Sequence, residues 1–371
     1  MRIKSVEPIL LSIPFTDGSP GVGIMPTAWT ELDFLLVRIE THDGLVGWGE
    51  GFGYFCNDAV AATLRRNVIP LLIDREVTDV PALMEEIQRR GVLQGRHGIS
   101  TFAQSGVDIA LWDLAAKSEQ VSLATLLGGS EGVVRDSLPA YASLVRYGDP
   151  DLVARFCERV VEDGFDEVKL HEITMPEIRA CRKAIGETMP MIVDVNCNWS
   201  EAYTREVIPE LMELKTRWLE EPVFPPEDYR TLAELRKTGI PIATGENACT
   251  ATPFAEMLHL NAADFLQPSI TKVGGVTEFR KICAMNTESS HTASSAVPLM
   301  PHSPYFGPGY LATVQMGAVE PAFELFEYLY VEPQAWLYRD MPLPRDGRVP
   351  IPDGPGLGMD PDPEVLERYR K

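Results

Sequence analysis

The sequence predicts an α/β protein in which an α+β segment is followed by a closed barrel of parallel strands. Three observations carry that expectation. Past Gly128-Gly129 short branched runs alternate with amphipathic helical stretches, roughly 25 residues apart, the size of one β/α unit. About eight such runs can be counted, the number that closes a barrel. The chain of 371 residues is long enough for a barrel of about 200 residues and a smaller second domain.

The opening segment, residues 1–130, reads as α+β. Asp33 to Glu40 is rich in branched and aromatic residues, Asp43-Gly44 is a hairpin turn signal, and Leu45 to Glu50 returns. From about Asn57 to Lys117 the pattern is helical. Ser105 to Ala116 carries Val107, Ile109, Ala110, Leu111 and Leu114 at helical period. The barrel is expected over residues 131–340. Its strand-like runs are Pro139 to Val145, Glu167 to His171, Met191 to Val195, Arg217 to Leu219, Pro241 to Thr244, Asp264 to Gln267, Ala296 to Met300 and Phe323 to Leu329. Helical stretches such as Pro150 to Asp163, Pro176 to Gly186 and Gly275 to Asn286 lie between them. The tail, 341–371, is rich in Pro, Gly and Asp and ends in a short helix, Pro363 to Tyr369.

Charge and composition exclude several classes. With 54 acidic and 33 basic residues the formal net charge is −21, which disfavours nucleic acid or an anionic membrane as partner. Pro8 to Ile13 is too short for a signal-peptide core, and no stretch approaches the ~20 apolar residues of a membrane span. Cys56, Cys157, Cys181, Cys197, Cys249 and Cys283 are dispersed without a C-x-x-C pair, so reduced thiols and a cytoplasmic setting are expected.

Three acids stand where strands end. Asp194, Glu220 and Glu246 follow one another at 26-residue intervals, one β/α unit each. Adjacent barrel strands would bring them together at the C-terminal rim, where barrel active sites lie. An acid after a strand often caps the next helix, but three at equal spacing point to a shared cation. An oxygen-only set suits Mg²⁺. One strand earlier, Lys169 and His171 fall on the same face of Glu167 to His171 and enter the same cavity. His302, in Pro301-His302-Ser303-Pro304, is placed across the barrel mouth from His171. His42, His97, His259 and His291 are expected to be ordinary surface or partly buried residues, with a position near that mouth left open for His97. Glu327 is an acid inside an apolar eighth run, to be paired with a cation or protonated.

Seven motifs stand in order along the chain: Gly47-Trp48-Gly49-Glu50, Asp108-Ile109-Ala110-Leu111-Trp112-Asp113, Val193-Asp194-Val195-Asn196, Leu219-Glu220-Glu221-Pro222, Gly245-Glu246-Asn247, Lys272-Val273-Gly274-Gly275 and Asp353-Gly354-Pro355-Gly356-Leu357-Gly358. In their order and spacing nearly the whole chain resembles the mandelate racemase and muconate lactonizing enzyme group of the enolase superfamily. The resemblance carries several expectations. It implies a (β/α)7β modified TIM barrel under an α+β capping domain that the C-terminal tail completes. It implies one Mg²⁺ per subunit on Asp194, Glu220 and Glu246, with Asn196, Glu221 and Asn247 beside the ligands. Loops at about Phe15 to Thr30, carrying Trp29, and Gly51 to Asn57, carrying Tyr54, would select the substrate. His302 falls where mandelate racemase-like members carry a histidine base, and Glu327 where they carry an acid that hydrogen-bonds the substrate carboxylate. Homo-oligomers, from dimer to octamer, are expected.

Two positions depart from the family pattern. His171 replaces the second lysine of a Lys-x-Lys pair, so the base on that face is either His171, the preferred assignment, or Lys169. Ser269 stands where the partner aspartate of the histidine is expected, so His302 lacks its usual orienting carboxylate. Lys272 is expected to be structural.

The implied chemistry is Mg²⁺-dependent abstraction of the α-proton of a small-molecule carboxylate to a metal-stabilised enediolate, because an unactivated α-proton is too weakly acidic for histidine alone. Lys169, His171, His302 and Glu327 are the expected catalytic groups, with His171 as base and His302 as acid. Dehydration of an acid sugar is the first expectation, racemisation, epimerisation or cycloisomerisation the second, and a non-catalytic metal-binding scaffold a remote third.

Overall fold

The structure, a computed structural model, describes residues 1–16, 29–129, 132, 135–290 and 296–371. Most of the first expected selection loop (17–28) therefore lies outside the described residues, as do the expected boundary at 130/131 and His291.

The first segment is a sheet with helices on it. Strands β1 (Ile3–Thr16), β2 (Glu31–Thr41) and β3 (Val46–Gly51) pair antiparallel, followed by helices α1 (Asn57–Thr63), α2 (Val80–Arg90), α3 (Ile99–Ser118) and α4 (Leu123–Gly128). The β2–β3 turn sits on Asp43-Gly44, with Gly44 at φ +87°. Helix α3 lies directly against β3. A Cβ on Gly49 would come within 1.9 Å of the Gly106 carbonyl oxygen, so glycine is what permits the contact.

The barrel strands are β4 (Ser137–Ser143), β5 (Val168–Leu170), β6 (Met191–Asp194), β7 (Thr216–Glu220), β8 (Ile242–Thr244), β9 (Phe265–Leu266) and β10 (Phe326–Leu329). They run in the order β10-β4-β5-β6-β7-β8-β9, all parallel. Helices α5 (Pro150–Glu162), α6 (Met175–Ile185), α7 (Glu201–Glu213), α8 (Tyr229–Arg236), α9 (Thr252–Leu260), α10 (Ile270–Val273), α11 (Gly275–Ser290) and α12 (Pro308–Val319) connect them. Asp149, Ser200 and Asp228 cap α5, α7 and α8 through their side-chain oxygens.

The seventh run differs from the expected strand Ala296 to Met300. Only Leu299 is bridged, to Leu266 on one side and Phe323 on the other. Pro298 and Pro301 flank this stretch and have no N–H to offer a ladder. Four backbone bonds still close the ring: Leu266 N to Pro298 O (3.0 Å), Met300 N to Leu266 O (2.9 Å), Leu299 N to Ala322 O (2.8 Å) and Glu324 N to Leu299 O (3.1 Å).

Inside the ring, Tyr141, Ile192, Trp218, Ala243, Met300 and Leu325 form an apolar plug separate from the shell under the helices. It is a packed floor for whatever sits at the strand ends. Buried acids of the first segment hold the barrel helices. Asp108 accepts from Thr277 N at the start of α11 (3.0 Å), and Glu50 accepts from Gly309 N in the first turn of α12 (2.8 Å). Asp113 accepts from Trp48 N and from Leu357 N of the tail, each at 2.8 Å. The last helix, α13 (Pro363–Tyr369), leads to Lys371, whose N–H donates to Leu10 O of β1. Among the described residues no helix is long and apolar enough to cross a membrane.

Candidate active site

The three predicted acids meet. Asp194 ends β6, Glu220 ends β7 directly opposite it in register, and Glu246 follows β8 after Gly245. Gly245 stands at φ +126°, and a Cβ there would lie 2.8 Å from the Phe254 ring, so the turn that delivers Glu246 needs glycine. All three acids are buried, and one ligand oxygen from each lies within 4.8 Å of the others. Asp194 Oδ1 accepts from Asn196 N (2.9 Å). Glu220 accepts from Lys169 Nζ (3.0 Å) and from Trp218 Nε1 (3.0 Å) of the floor. Burial, and then Asp194, push the Glu220 carboxyl well above the usual range. An oxygen-only set of three buried, mutually repelling carboxylates fits a hard divalent cation such as Mg²⁺.

Lys169 lies in β5 and His171 directly follows it, so the expected run Glu167 to His171 is strand only over Val168–Leu170, with Val168 and Leu170 buried in the outer shell. Lys169 is fully buried. Its Nζ lies 2.7 Å from Glu327 Oε1, 3.0 Å from Glu220 Oε1 and 3.2 Å from Asp194 Oδ2. Burial alone would lower its pKa, but Glu220, Glu327, Tyr141 and Asp194 hold it well above the ordinary lysine range. His171 Nδ1 faces the Leu144 carbonyl at 2.5 Å. A carbonyl only accepts, so Nδ1 carries a proton and the neutral ring has its lone pair on Nε2. That Nε2 is 3.3 Å from Asp194 Oδ2.

His302 stands at the other end of the acidic row, with Nε2 3.2 Å from Glu246 Oε2. Its Nδ1 is 3.1 Å from both Ser269 Oγ and Tyr305 Oη. Burial pushes the ring down to about 4, against the pull of Glu246 and Glu327. Glu327, on β10, is paired with a cation. Oε1 takes Lys169 and Ser143 Oγ (2.8 Å), and Oε2 takes Ser303 N (2.9 Å). Although burial opposes it, Lys169 holds this carboxyl below the usual range.

The neighbours of the ligands form their own network. Asn247 Nδ2 donates to Glu221 Oε2 (2.6 Å) and Glu246 Oε1 (3.2 Å), and Asn247 Oδ1 accepts from Lys272 Nζ (2.9 Å). Burial, then Glu246, raise Glu221 to about 7. Asn196, Cys197 and Glu221 have φ of +44°, +59° and +40°, so the chain leaves β6 and β7 through left-handed residues held by these contacts. Lys272 also sits 4.9 Å above the Phe52 ring, in keeping with a structural role. Tyr54 hydrogen-bonds the Pro304 carbonyl, and Trp29 packs on Tyr54 with ring centroids 5.1 Å apart. Both therefore lie beside the His302 loop. His97 and Glu221 line one small cavity with Asn247 and Cys249.

Two residues escaped the sequence reading. Arg146, just past β4, donates to His171 O (2.6 Å) and Asn196 Oδ1 (3.3 Å), tying three strand ends together. Tyr305 reaches back to His302 across one turn of loop. Its only sequence signal is an aromatic hydroxyl three positions after the histidine.

Comparison with known proteins agrees with this geometry. The family described as mandelate racemase / muconate lactonizing enzyme, N-terminal domain, matches residues 18–128, and the family described as enolase C-terminal domain-like matches residues 152–365. Arabinonate dehydratase of Saccharolobus solfataricus is 28% identical over 367 residues, 95% of each chain. The crystal structure of 3,6-anhydro-D-galactonate cycloisomerase from Zobellia galactanivorans superposes with a TM-score of 0.83 at 27% identity, covering 100% of both chains. L-talarate dehydratase from Polaromonas sp. JS666, in complex with Mg and L-glucarate, superposes with a TM-score of 0.81 at 28% identity, covering 100% of this chain and 97% of that one.

Proposed function

Because the chain belongs to the mandelate racemase / muconate lactonizing enzyme family of the enolase superfamily, we propose that it removes the α-proton of a small carboxylic acid in a Mg²⁺-dependent reaction, and that the net reaction is dehydration of an acid sugar. The observation that carries this reading is the placement of two histidines at opposite ends of one buried acidic row, His171 by Asp194 and His302 by Glu246. Asp194, Glu220 and Glu246 would hold the cation, which when bound would supply Lewis-acid polarisation of the substrate carboxylate. His171 presents the Nε2 lone pair and takes the α-proton. Lys169, anchored by Glu327, directs positive charge at the oxygens where negative charge develops. His302, once it has taken up a second ring proton, hands it to the departing β-hydroxyl and returns to its neutral form. The α-proton lost to His171 and the water formed at His302 balance, leaving an enol that becomes the α-keto acid.

The dehydratase relatives support the choice of acid sugars, and the substrate class comes by analogy with them. A cycloisomerase or a racemase follows from the same intermediate, and the cycloisomerase neighbour favours keeping the former as the second reading. A homo-oligomer and a cytoplasmic setting complete the proposal; all six cysteines are free thiols. The test is a panel of aldonates and aldarates incubated with Mg²⁺ in deuterated water. Keto acid formation, with deuterium from solvent at the carbon that lost the hydroxyl, is the expected result. No exchange with any acid, with or without metal, would leave only a binding scaffold.

A further inference from the structure

Resting on the reading of the site as a centre for α-proton abstraction, we infer that Arg146 is a positioning residue that turns the Asn196 amide so that Nδ2 donates into the barrel mouth, while the same guanidinium holds the His171 main chain. Asn196 is then the group that meets an acceptor oxygen of the substrate. Arg146 acts only through Asn196 and His171.

Arginine carries five N–H groups and no lone pair. The amide atom that faces it must therefore be the carbonyl oxygen, and Arg146 Nη2 lies 3.3 Å from Asn196 Oδ1. The two Nδ2 hydrogens point elsewhere, and among the described residues Nδ2 has no acceptor. Asn196 is only partly buried, so this donor is open to a ligand. The backbone fixes where it stands. Asn196 N donates to Asp194 Oδ1 (2.9 Å), and the residue takes φ +44°. The open donor is thus held beside the acid row.

Arg146 differs from the other cations near the strand ends. Lys169 is sealed among Asp194, Glu220 and Glu327. Lys272 is buried and donates to Asn247. Arg146 is partly exposed and, among the described residues, both its acceptors are neutral oxygens. The nearby acid Glu172 is occupied by Tyr147 N (2.6 Å) and Gly148 N (3.1 Å). Arg146 Nε donates to His171 O (2.6 Å), and the His171 ring faces Leu144 O (2.5 Å). His171 is therefore tied at both ends to one short stretch after β4. A single planar fork serves acceptors from two strand ends, a task that the point charge of lysine does not reproduce. A donor in this place suits a hydroxy acid, whose α-oxygen carries lone pairs. It disfavours an amino acid, whose α-ammonium carries none.

The test compares the Mg²⁺-loaded enzyme, labelled with ¹⁵N-asparagine, with Arg146→Ala. The Asn196 side-chain signal is assigned by its loss in Asn196→Asp. In Arg146→Ala that signal is expected to move or broaden, while the signal of Asn286, held elsewhere by Val297 O, stays in place. Turnover of the hydroxy acid falls about 10- to 100-fold, and adding Asn196→Ala costs little more, because the two residues act as one unit. Guanidinium ion at a non-denaturing concentration restores part of the turnover of Arg146→Ala and none of that of the double variant. An Asn196 signal that does not move overturns the inference, as do fully additive losses in the double variant. If Arg146→Ala does not fold, Arg146→Lys decides the matter. It keeps the charge and loses the fork, so a shifted Asn196 signal is expected, and a native signal with native turnover overturns the inference. Because the spectra need no substrate, a panel in which no acid turns over counts against the proposed reaction and leaves the amide orientation to be decided by the Asn196 signal.

Discussion

Nζ of Lys169 lies 2.7 Å from Oε1 of Glu327, and both side chains are sealed from solvent. The same ammonium reaches Glu220 and Asp194, so one buried cation offsets three acids drawn from β6, β7 and β10. Removing one partner of a buried ion pair leaves uncompensated charge, which costs about 3–5 kcal/mol. Lys169→Met should therefore lower stability in urea by about that amount, with Mg²⁺ recovering part of the loss. A metal-independent change under 1 kcal/mol (roughly the value of an exposed pair) would show that the cluster is neutralised by other means.

The two histidines are expected to separate in isotope exchange. His171→Ala should abolish α-proton exchange and turnover together, by about 10²- to 10⁴-fold. His302→Ala should stop turnover by a similar factor while exchange continues. Mass spectrometry of recovered substrate measures both, and full activity in either variant would remove that histidine from the mechanism.

Asp194 Oδ2 is a buried carboxylate oxygen with Lys169 Nζ at 3.2 Å and His171 Nε2 at 3.3 Å. Asp194→Asn keeps the volume and loses the charge. Titration calorimetry should record a clear loss of Mg²⁺ affinity, and turnover should fall about a thousandfold or more, since the Lewis acid supplies several kcal/mol. Chelation of the wild type should silence turnover, with Mg²⁺ restoring it. Unaltered affinity in the variant would mean that the ion sits elsewhere.

Glu50 links stability to pH. Burial raises its carboxyl from 4.5 to about 8, only partly countered by the Gly309 N–H. The folded state therefore keeps a proton that the unfolded state loses. Below 4.5 both forms are protonated and the group is neutral in the balance. As pH climbs from 4.5 toward 8 the folded state binds more protons, so stability falls, on the order of 1 kcal/mol per unit. Glu50→Gln, which preserves an acceptor for Gly309, should flatten this slope. Thermal melts at pH 5 and pH 8 compare the two, and parallel slopes would refute it.

Much of the fold could be read from the chain because buried parallel strands leave short branched runs at a regular interval. The same regularity exposed Asp194, Glu220 and Glu246, since a spacing of one β/α unit becomes lateral adjacency in a ring. Lys169 and His171 followed from strand alternation. The seventh strand was overdrawn because branched composition suggested a ladder that Pro298 and Pro301 interrupt. Arg146 and Tyr305 stayed hidden for a different reason. Arg146 finds its partners at 171 and 196, and Tyr305 finds Ser269, so neither contact has a local period to betray it.

The thin seam at Leu299 gives the two histidines footings of unequal stiffness. His171 grows from a stave laced on both edges, whereas His302 hangs three residues past a single bridged position. Amides at 299 and 300 should lose their protection from hydrogen exchange before those of the neighbouring staves. Substitutions that loosen this joint will therefore disturb the donor end of the cleft and spare the acceptor end, dividing a mutational map of the barrel into two halves.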